Sequence, residues 1–583
     1  MTARKFVPSL VLSLALAAAQ APAPTPKPQP AGGQAKPPAE PETPPDAKAY
    51  QAASRIADPD QKIAALEKMK RDYPDSSYVS AANNRILGAL LKSKPEEKER
   101  IRKLAGSIYK SAAAKDKELS RGATTATTRT RESAAQVIAE QYLLADRFLK
   151  EGEAWARRSL DSMRQSVWMS EQRESYVKRK QKIPPQETLV KRFNELHANR
   201  EATLGRIEWK LGRDAAAKKL LEESYAVNAD DAAVAGTLGE MALKAGDDTR
   251  ALDYLIPARL SGHAPESANA ALEGVYRKSH NGSLGGLEAM LDTEYHKRFP
   301  NPVHVEPYQP TAKRSDRVVL GEVFTGSGCP PCAGADLAFD AAMARFPHKD
   351  FAVVMYHQHI PRPDPMTTTE TTARAKFYAV RGVPTFAIDG EDTIGGGSRD
   401  MAQGIYDKFE KEVEDGLEAP AEARIKVNAA LTGNDVKASV AVDHVKGESK
   451  DLRVQILLVE KELRFNGENG IRFHPMVVRT FGGEKADGYK LDGAQGSFQA
   501  SFDLDAVSQS IKKDLDDYEA KGHRGESFKF AEKKYQIDRN DLAIVVFVQD
   551  AKTRHVLQAA WADLGTPGSH PTTEAAAVAH LLQ

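Results

Sequence analysis

Val318-Val319-Leu320-Gly321-Glu322-Val323-Phe324 leads through Thr325-Gly326-Ser327-Gly328 into Cys329-Pro330-Pro331-Cys332. Ala333 to Arg345 follows, with Leu337, Phe339, Ala341 and Met343 set among polar partners. The first segment reads as a buried strand and the last as a helix. A Cys-X-X-Cys between a strand and a helix is the setting of a redox centre. The chain has 2 cysteines and both lie in this unit, so one reversible disulfide is expected rather than a stapled fold.

The spacing carries the chemistry. A cysteine at a helix start feels the positive end of the macrodipole and unpaired backbone N–H groups, and both stabilise a thiolate. Its pKa can fall from about 8.5 into the range of roughly 3.5 to 7.5. Cys329 is therefore the expected nucleophile. Cys332, nearly one turn on, is placed to attack a mixed disulfide and release the substrate. The two prolines suit a first helical turn, but each removes an N–H donor, so only a moderate depression is expected. A structural disulfide, half a metal site or two unrelated thiols are the alternatives. Zinc normally takes four ligands and no second cysteine pair exists, so no metal site is expected. A short-loop disulfide would stabilise so long a chain little.

Downstream come an apolar strand, Phe351-Ala352-Val353-Val354-Met355-Tyr356, a helical stretch from Thr371 to Val380, and Gly382-Val383-Pro384-Thr385-Phe386. Gly395-Gly396-Gly397 precedes a last helix, Ser398 to Gly416, and lacks the lysine of a phosphate loop. On these motifs, residues 317–417 resemble a thioredoxin-fold domain. The resemblance implies a cis proline at Pro384 beside the Cys-X-X-Cys, with Val383 and Pro384 forming the groove for a substrate strand. It also implies thiol-disulfide oxidoreductase activity, with the redox-active disulfide Cys329–Cys332 and no other cofactor. Two departures stand out. Gly328 occupies the place of the usual tryptophan, which implies a more open site. The family's buried acid aligns with Val323, leaving Glu322 as the nearby candidate to accept a proton from Cys332. Strand alternation sends residues 322 and 323 to opposite faces unless a bulge intervenes.

His357-Gln358-His359-Ile360-Pro361-Arg362-Pro363-Asp364-Pro365 is longer than a minimal thioredoxin needs. His357 and His359 leave the carboxyl end of a central strand, where sites collect in open α/β sheets, so either is a candidate to tune the thiolate. The bland reading is a proline-rich surface loop. A copper-delivery role would use the two sulfurs and one histidine.

Arg4 and Lys5 precede an apolar run from Phe6 to Ala19, which reads as a cleaved secretory signal over residues 1–21. The run is shorter than the roughly 20 residues needed to span a bilayer, so no transmembrane helix remains after cleavage. Export is expected, to the periplasm or beyond and in association with the envelope; an oxidising compartment makes a lone Cys-X-X-Cys more telling. Residues 22–46, dominated by proline and alanine, read as an extended tether. The 82 basic and 81 acidic side chains nearly cancel, and nothing points to nucleic acid.

Residues 47–300 read as helical. Leu204-Gly205 recurs at Leu238-Gly239, Gly212 at Gly246, Ala217 at Ala251 and Leu221 at Leu255, each 34 residues on. That period resembles tetratricopeptide repeats, clearest over 200–262, and implies a solenoid able to hold a peptide or protein partner. Its bland role is a spacer. The run Lys178-Arg179-Lys180-Gln181-Lys182 reads as a solvated helix end.

After Pro420, alternating runs at Arg424–Ala429, Val436–Val442 and Leu452–Val459, with an apolar run at Leu542–Val548, indicate a β-sandwich over 421–565. A helix from Ala506 to Glu519 interrupts it, and residues 566–583 read as a loose tail. This order resembles bacterial outer-membrane-associated thioredoxin-like proteins. The sequence thus reads as multidomain: a helical solenoid, then an α/β thioredoxin fold, then a β-sandwich. The expected function is exported disulfide exchange on protein substrates, together with a redox partner. The rivals are a repeat-based adaptor with a redox-sensing or vestigial dithiol, and metal delivery.

Overall fold

A computed structural model describes residues 43–121, 127–447, 450–483, 487–523 and 528–564. The expected signal at 1–21, the tether up to residue 42 and the tail at 566–583 lie outside the described residues. The tether's last two residues, Pro45 and Asp46, already open the first helix, Pro45–Arg55. None of the helices among the described residues is long and apolar enough to cross a membrane.

The amino-terminal half is helical, running from Pro45–Arg55 to Leu287–Arg298. The 34-residue period has a packing cause. A Cβ on Gly205 would meet Leu221 Cγ at 2.8 Å, and one on Gly239 would meet Leu255 Cγ at 2.5 Å, so each Leu-Gly pair lets the next helix close in. Gly212 and Gly246 end the helices Gln186–Lys210 and Ala232–Lys244 at φ 76° and 78°, a conformation that glycine adopts at no steric cost. An ion pair repeats as well: Lys244 reaches Asp214 at 2.6 Å, and Lys278 pairs with Asp248.

The carboxy-terminal half is built on β-strands: β1 (Val319–Thr325), β2 (Phe351–His357), β3 (Thr385–Ile388), β4 (Glu391–Ile394), β5 (Arg424–Thr432), β6 (Asp435–Asp443), β7 (Leu452–Arg464), β8 (Phe473–Phe481), β9 (Tyr489–Lys490), β10 (Gly496–Asp503), β11 (Leu542–Asp550) and β12 (Val556–Asp563). β1 runs parallel to β2 and antiparallel to β3, which pairs antiparallel with β4. The expected boundary near residue 420 does not divide the sheet. β8 pairs in parallel with β2 through Met355 and Val477, giving one 9-stranded sheet ordered β12-β11-β7-β8-β2-β1-β3-β4, with β9 on β7.

Burial on both faces explains the merger. β11 is buried from Leu542 to Gln549 and most of β7 is buried too, so neither has the wet face of an ordinary sandwich strand. Leu542, Ile544, Val546 and Val548 pack under the 3-stranded sheet β10-β6-β5, while Ala543, Val545 and Phe547 join the core beneath β1 and β2.

The same alternation sorts β1. Val319 and Val323 face the helices Cys332–Arg345 and Ala402–Glu418, where Phe339 stacks on Phe409 at 4.4 Å. Leu320 and Phe324 face the opposite core, which holds Tyr356 and Tyr378. Glu322 shares their parity, and its 0 % exposed side chain accepts hydrogen bonds from Tyr356 at 2.9 Å, Arg374 Nε at 2.8 Å and the Tyr378 hydroxyl. Removing a partner from such a buried pair strands the other charge, at a cost of about 3 to 5 kcal/mol. Arg374→Met is therefore expected to lower stability by that amount in urea titrations, and Glu322→Leu/Arg374→Met to recover most of it. A single variant within about 1 kcal/mol of the parent would contradict a structural role for the pair.

Candidate functional site

Cys329 and Cys332 are joined in a disulfide in the first turn leading into the helix Cys332–Arg345. Cys329 N–H donates to Gly326 O, and Cys332 N–H to Cys329 O, both at 3.0 Å, so the turn is already helical before the helix proper begins. Pro331 holds φ −71° and ψ −9°, which costs a proline nothing there. Val383 and Pro384 lie beside this turn. Cys329 Sγ is 3.6 Å from the Val383 carbonyl oxygen, and the Val383–Pro384 peptide is cis. Behind them the Gly395–Gly397 segment is stitched to the same turn by Gly397 N–H to Pro331 O at 2.8 Å and Gly334 N–H to Gly397 O at 2.9 Å. A Cβ on Gly396 would fall 2.4 Å from Pro384 Cγ and 2.6 Å from Pro331 O, so only glycine permits this approach.

The site is covered, against the expectation that Gly328 leaves it open. Cys329 is 1 % exposed, while Pro330 and Pro331 are exposed. Arg362, from the segment after β2, packs over Gly328: a Cβ on Gly328 would lie 2.9 Å from Arg362 Cβ. Arg362 pairs with Glu468, from the loop between β7 and β8. In that loop Asn469 N–H donates to Ser327 O at 2.9 Å and Asn469 Nδ2 to Gly326 O at 3.4 Å. The loop is anchored on the helical half. Tyr295 donates to Gly470 O at 3.1 Å, and Arg472 reaches Glu288 at 2.7 Å and Asp292 at 2.7 Å.

The remaining expected residues separate. Glu322 sits on the sheet face opposite the helix that carries Cys332, held by Arg374 and two tyrosines. Its expected role as proton acceptor for Cys332 is therefore corrected: no bulge in β1 brings it round. His359 has its ring 3.7 Å from that of Tyr518, its Nδ1 accepts from Asp364 N–H at 3.0 Å, and burial pushes its pKa down to about 4. It packs, neutral. His357 is 1 % exposed and directly opposite Thr325 in the β1–β2 register, at the mouth of the cysteine turn. Its Nδ1–H donates to Asp364 Oδ2 at 2.9 Å, and its buried Nε2 has no hydrogen-bond partner among the described residues.

Two carboxyls escaped the sequence reading. Burial pushes Asp364 up, but the charge and hydrogen bond of His357 and the N–H groups of Ser327 and Met366 outweigh it and hold it well below the usual carboxylate range. Asp336, one turn beyond Cys332, goes the other way. Burial raises it to about 7, against a hydrogen bond from Thr325 and the charge of His357, with Asp364 adding to the rise. The readable signal was an acid inside the apolar first two turns of the helix, Cys332-Ala333-Gly334-Ala335-Asp336-Leu337-Ala338-Phe339. Among the described residues no group of three or more His, Cys, Asp or Glu side chains is placed to hold a metal ion.

No protein-family model matches the chain, and no curated protein does. Among solved structures it is similar to a chain from the crystal structure of an APC/C hetero-tetramer, Cut9–Hcn1, at 16% identity and TM-score 0.19. The match covers 43% of this chain and 47% of that one, and overlap at this level carries no argument about fold or activity.

Two outcomes are expected from this geometry. Arg362→Ala should speed alkylation of Cys329 in the reduced protein by roughly two- to fivefold, since an exposed ion pair is worth at most about 1 kcal/mol; an unchanged rate in timed mass spectrometry would mean that Arg362 does not guard the sulfur. For Asp336, a folded pKa above the unfolded value of about 3.9 means that the fold binds the proton more tightly, so stability falls as pH climbs from about 4 to about 7. Asp336→Asn should match the parent near pH 4 and exceed it by up to about 4 kcal/mol at pH 8 in urea titrations. An equal difference at both pH values would rule out a raised carboxyl.

Proposed function

We propose that this chain is an exported thiol-disulfide oxidoreductase of the thioredoxin superfamily, exchanging disulfides with protein substrates through Cys329 and Cys332. The observation that carries the reading is the position of its 2 cysteines. They occupy the first turn of a helix that follows a central strand, with the Val383 carbonyl 3.6 Å from Cys329 Sγ. The strand sequence supports the superfamily assignment: β1 with a parallel neighbour β2 on one side and the antiparallel β3 and β4 on the other.

In this mechanism Cys329, just before the helix, is the nucleophile, because helix-terminal N–H groups and the macrodipole favour its thiolate. It attacks a substrate disulfide and forms a mixed disulfide. The substrate strand lies along Val383 and Pro384. Cys332, the first residue of the helix and fully buried, attacks Cys329 Sγ and expels the second substrate thiolate. Opening of the segment around Arg362 and Glu468 admits the substrate.

The helical half serves this reading as a recruiting arm. A groove of about 420 Å³ between its helices is floored by Trp209, Leu238, Met241 and Tyr254 and rimmed by Lys218 and Glu222, which suits a peptide with apolar anchors. A client held there meets Cys329 at a raised effective concentration.

Cys329→Ser is expected to abolish reduction of a peptide disulfide with dithiothreitol as the regenerating thiol. Cys332→Ser is expected to accumulate a covalent mixed disulfide visible in the intact mass. Faster alkylation of Cys332 than of Cys329 at neutral pH would reverse the roles, and wild-type protein inert toward every disulfide would leave the adaptor reading in its place.

A further inference from the structure

We infer that the loop 465–472 between β7 and β8 is an autoinhibitory cover over Cys329, held shut by the helical half, which thereby regulates access to the sulfur. The inference rests on the disulfide exchange proposed above, whose substrate has to reach a residue that is 1 % exposed.

The loop is gripped from two sides. On the cysteine side, Asn469 N–H and Nδ2 hold Ser327 O and Gly326 O, in the segment that leads into Cys329. Asn469 Nδ2 also touches Asp336 Oδ2 at 3.5 Å. Glu468 pairs with Arg362 and so keeps Arg362 lying on Gly328. That ion pair is exposed and contributes little. On the far side, the Tyr295 hydroxyl and Arg399 Nη2 both donate to Gly470 O, at 3.1 and 3.3 Å, and Arg399 Nη2 also donates to the Tyr295 hydroxyl at 3.2 Å. The turn after the helix Asp248–Leu260 lies flush against the loop: a Cβ on Gly262 would fall 2.4 Å from Asn466 O and 2.5 Å from Gly467 O. Arg472, itself 1 % exposed, links Asn466 Oδ1 at 2.6 Å to Glu288 and Asp292 of the helix Leu287–Arg298.

The composition of the loop makes this grip decisive. Its tip, Asn466-Gly467-Glu468-Asn469-Gly470, carries no apolar side chain, so lifting it exposes no hydrophobic surface of its own. The tip is braced internally by Gly467 N–H to Ile471 O at 2.8 Å and Gly470 N–H to Gly467 O at 2.9 Å, which lets it move as one piece. Ile471, 4 % exposed in the core that holds Val319 and Val323 of β1, is its fixed end. The tip is therefore closed by hydrogen bonds and by the fit of Gly262, with no apolar burial to add to them. A segment held in this way opens locally, at a free energy well below that of global unfolding. Cys329 then reacts in proportion to the open population, and weakening the hold of Tyr295 or Gly262 raises that population.

The test uses the full chain, reduced. Tyr295→Phe removes the hydroxyl that holds Gly470 and keeps the ring. Gly262→Ala presses a methyl group onto the Asn466 and Gly467 carbonyl oxygens. Ile86→Val, a small loss of packing in the helix Val79–Ser93, is the control for general loosening. Cys329 is followed by timed alkylation with iodoacetamide and with a polymer-bearing maleimide, and by release of thionitrobenzoate from a mixed disulfide on a folded carrier protein. Tyr295→Phe is expected to speed all three roughly two- to tenfold, the range for one hydrogen bond. Gly262→Ala should act in the same direction, and Ile86→Val should leave the rates unchanged. Wild-type rates in both junction variants, or an equal acceleration by Ile86→Val, overturn the inference. Thionitrobenzoate released at one rate by every variant removes the cover and leaves the exchange reading standing. Faster alkylation with no thionitrobenzoate released by any variant overturns the exchange reading, and with it the regulatory role of the cover.

Discussion

The parallel register of β1 and β2 sets Thr325 beside His357, and the rest of the site follows from that pairing. From Thr325 the chain turns through Gly326-Ser327-Gly328 into the cysteines; from His357 it turns through the inserted segment to Asp364. Because the two exits are adjacent, Asp364 can accept from Ser327 N–H at 2.6 Å while holding His357, and Thr325 can reach down to Asp336. A one-residue slip would send Thr325 or His357 to the other face and dissolve the cluster.

The covering loop ties this chemistry to the helical half. Residues 465–472 touch the cysteine turn through Asn469 and the last helices through Gly470 and Arg472. Glu288 illustrates the balance at this junction. Burial pushes its carboxyl up, but Arg472 and Arg259 pull it below the usual range, so it stays ionised and the anchor holds at neutral pH.

The cysteine pair was legible because 2 thiols in one chain at this spacing leave few chemistries open. The repeats were legible because Leu-Gly pairs and turn glycines recur at one period. Glu322 misled because a carboxylate one residue from the expected place lies on the opposite face of a strand. The continuous sheet was hidden because both-face burial of β7 and β11 depends on neighbours that no local pattern names. The cover over Cys329 was illegible for the same reason: Arg362 meets Glu468, 106 residues away, and Asn469 reaches Gly326 across 143. Asp336 did leave a local mark, as an acid among the apolar residues of the helix's first two turns, but its weight comes from burial.

The central claim is that Cys329 and Cys332 form an exchanging couple rather than a fixed brace. Its most direct test is the reduction potential of the pair, read by equilibrating the protein in glutathione buffers and quantifying the two states by mass. A reversible two-electron couple between about −270 and −120 mV is predicted. A potential below about −300 mV, where structural disulfides lie, would contradict it.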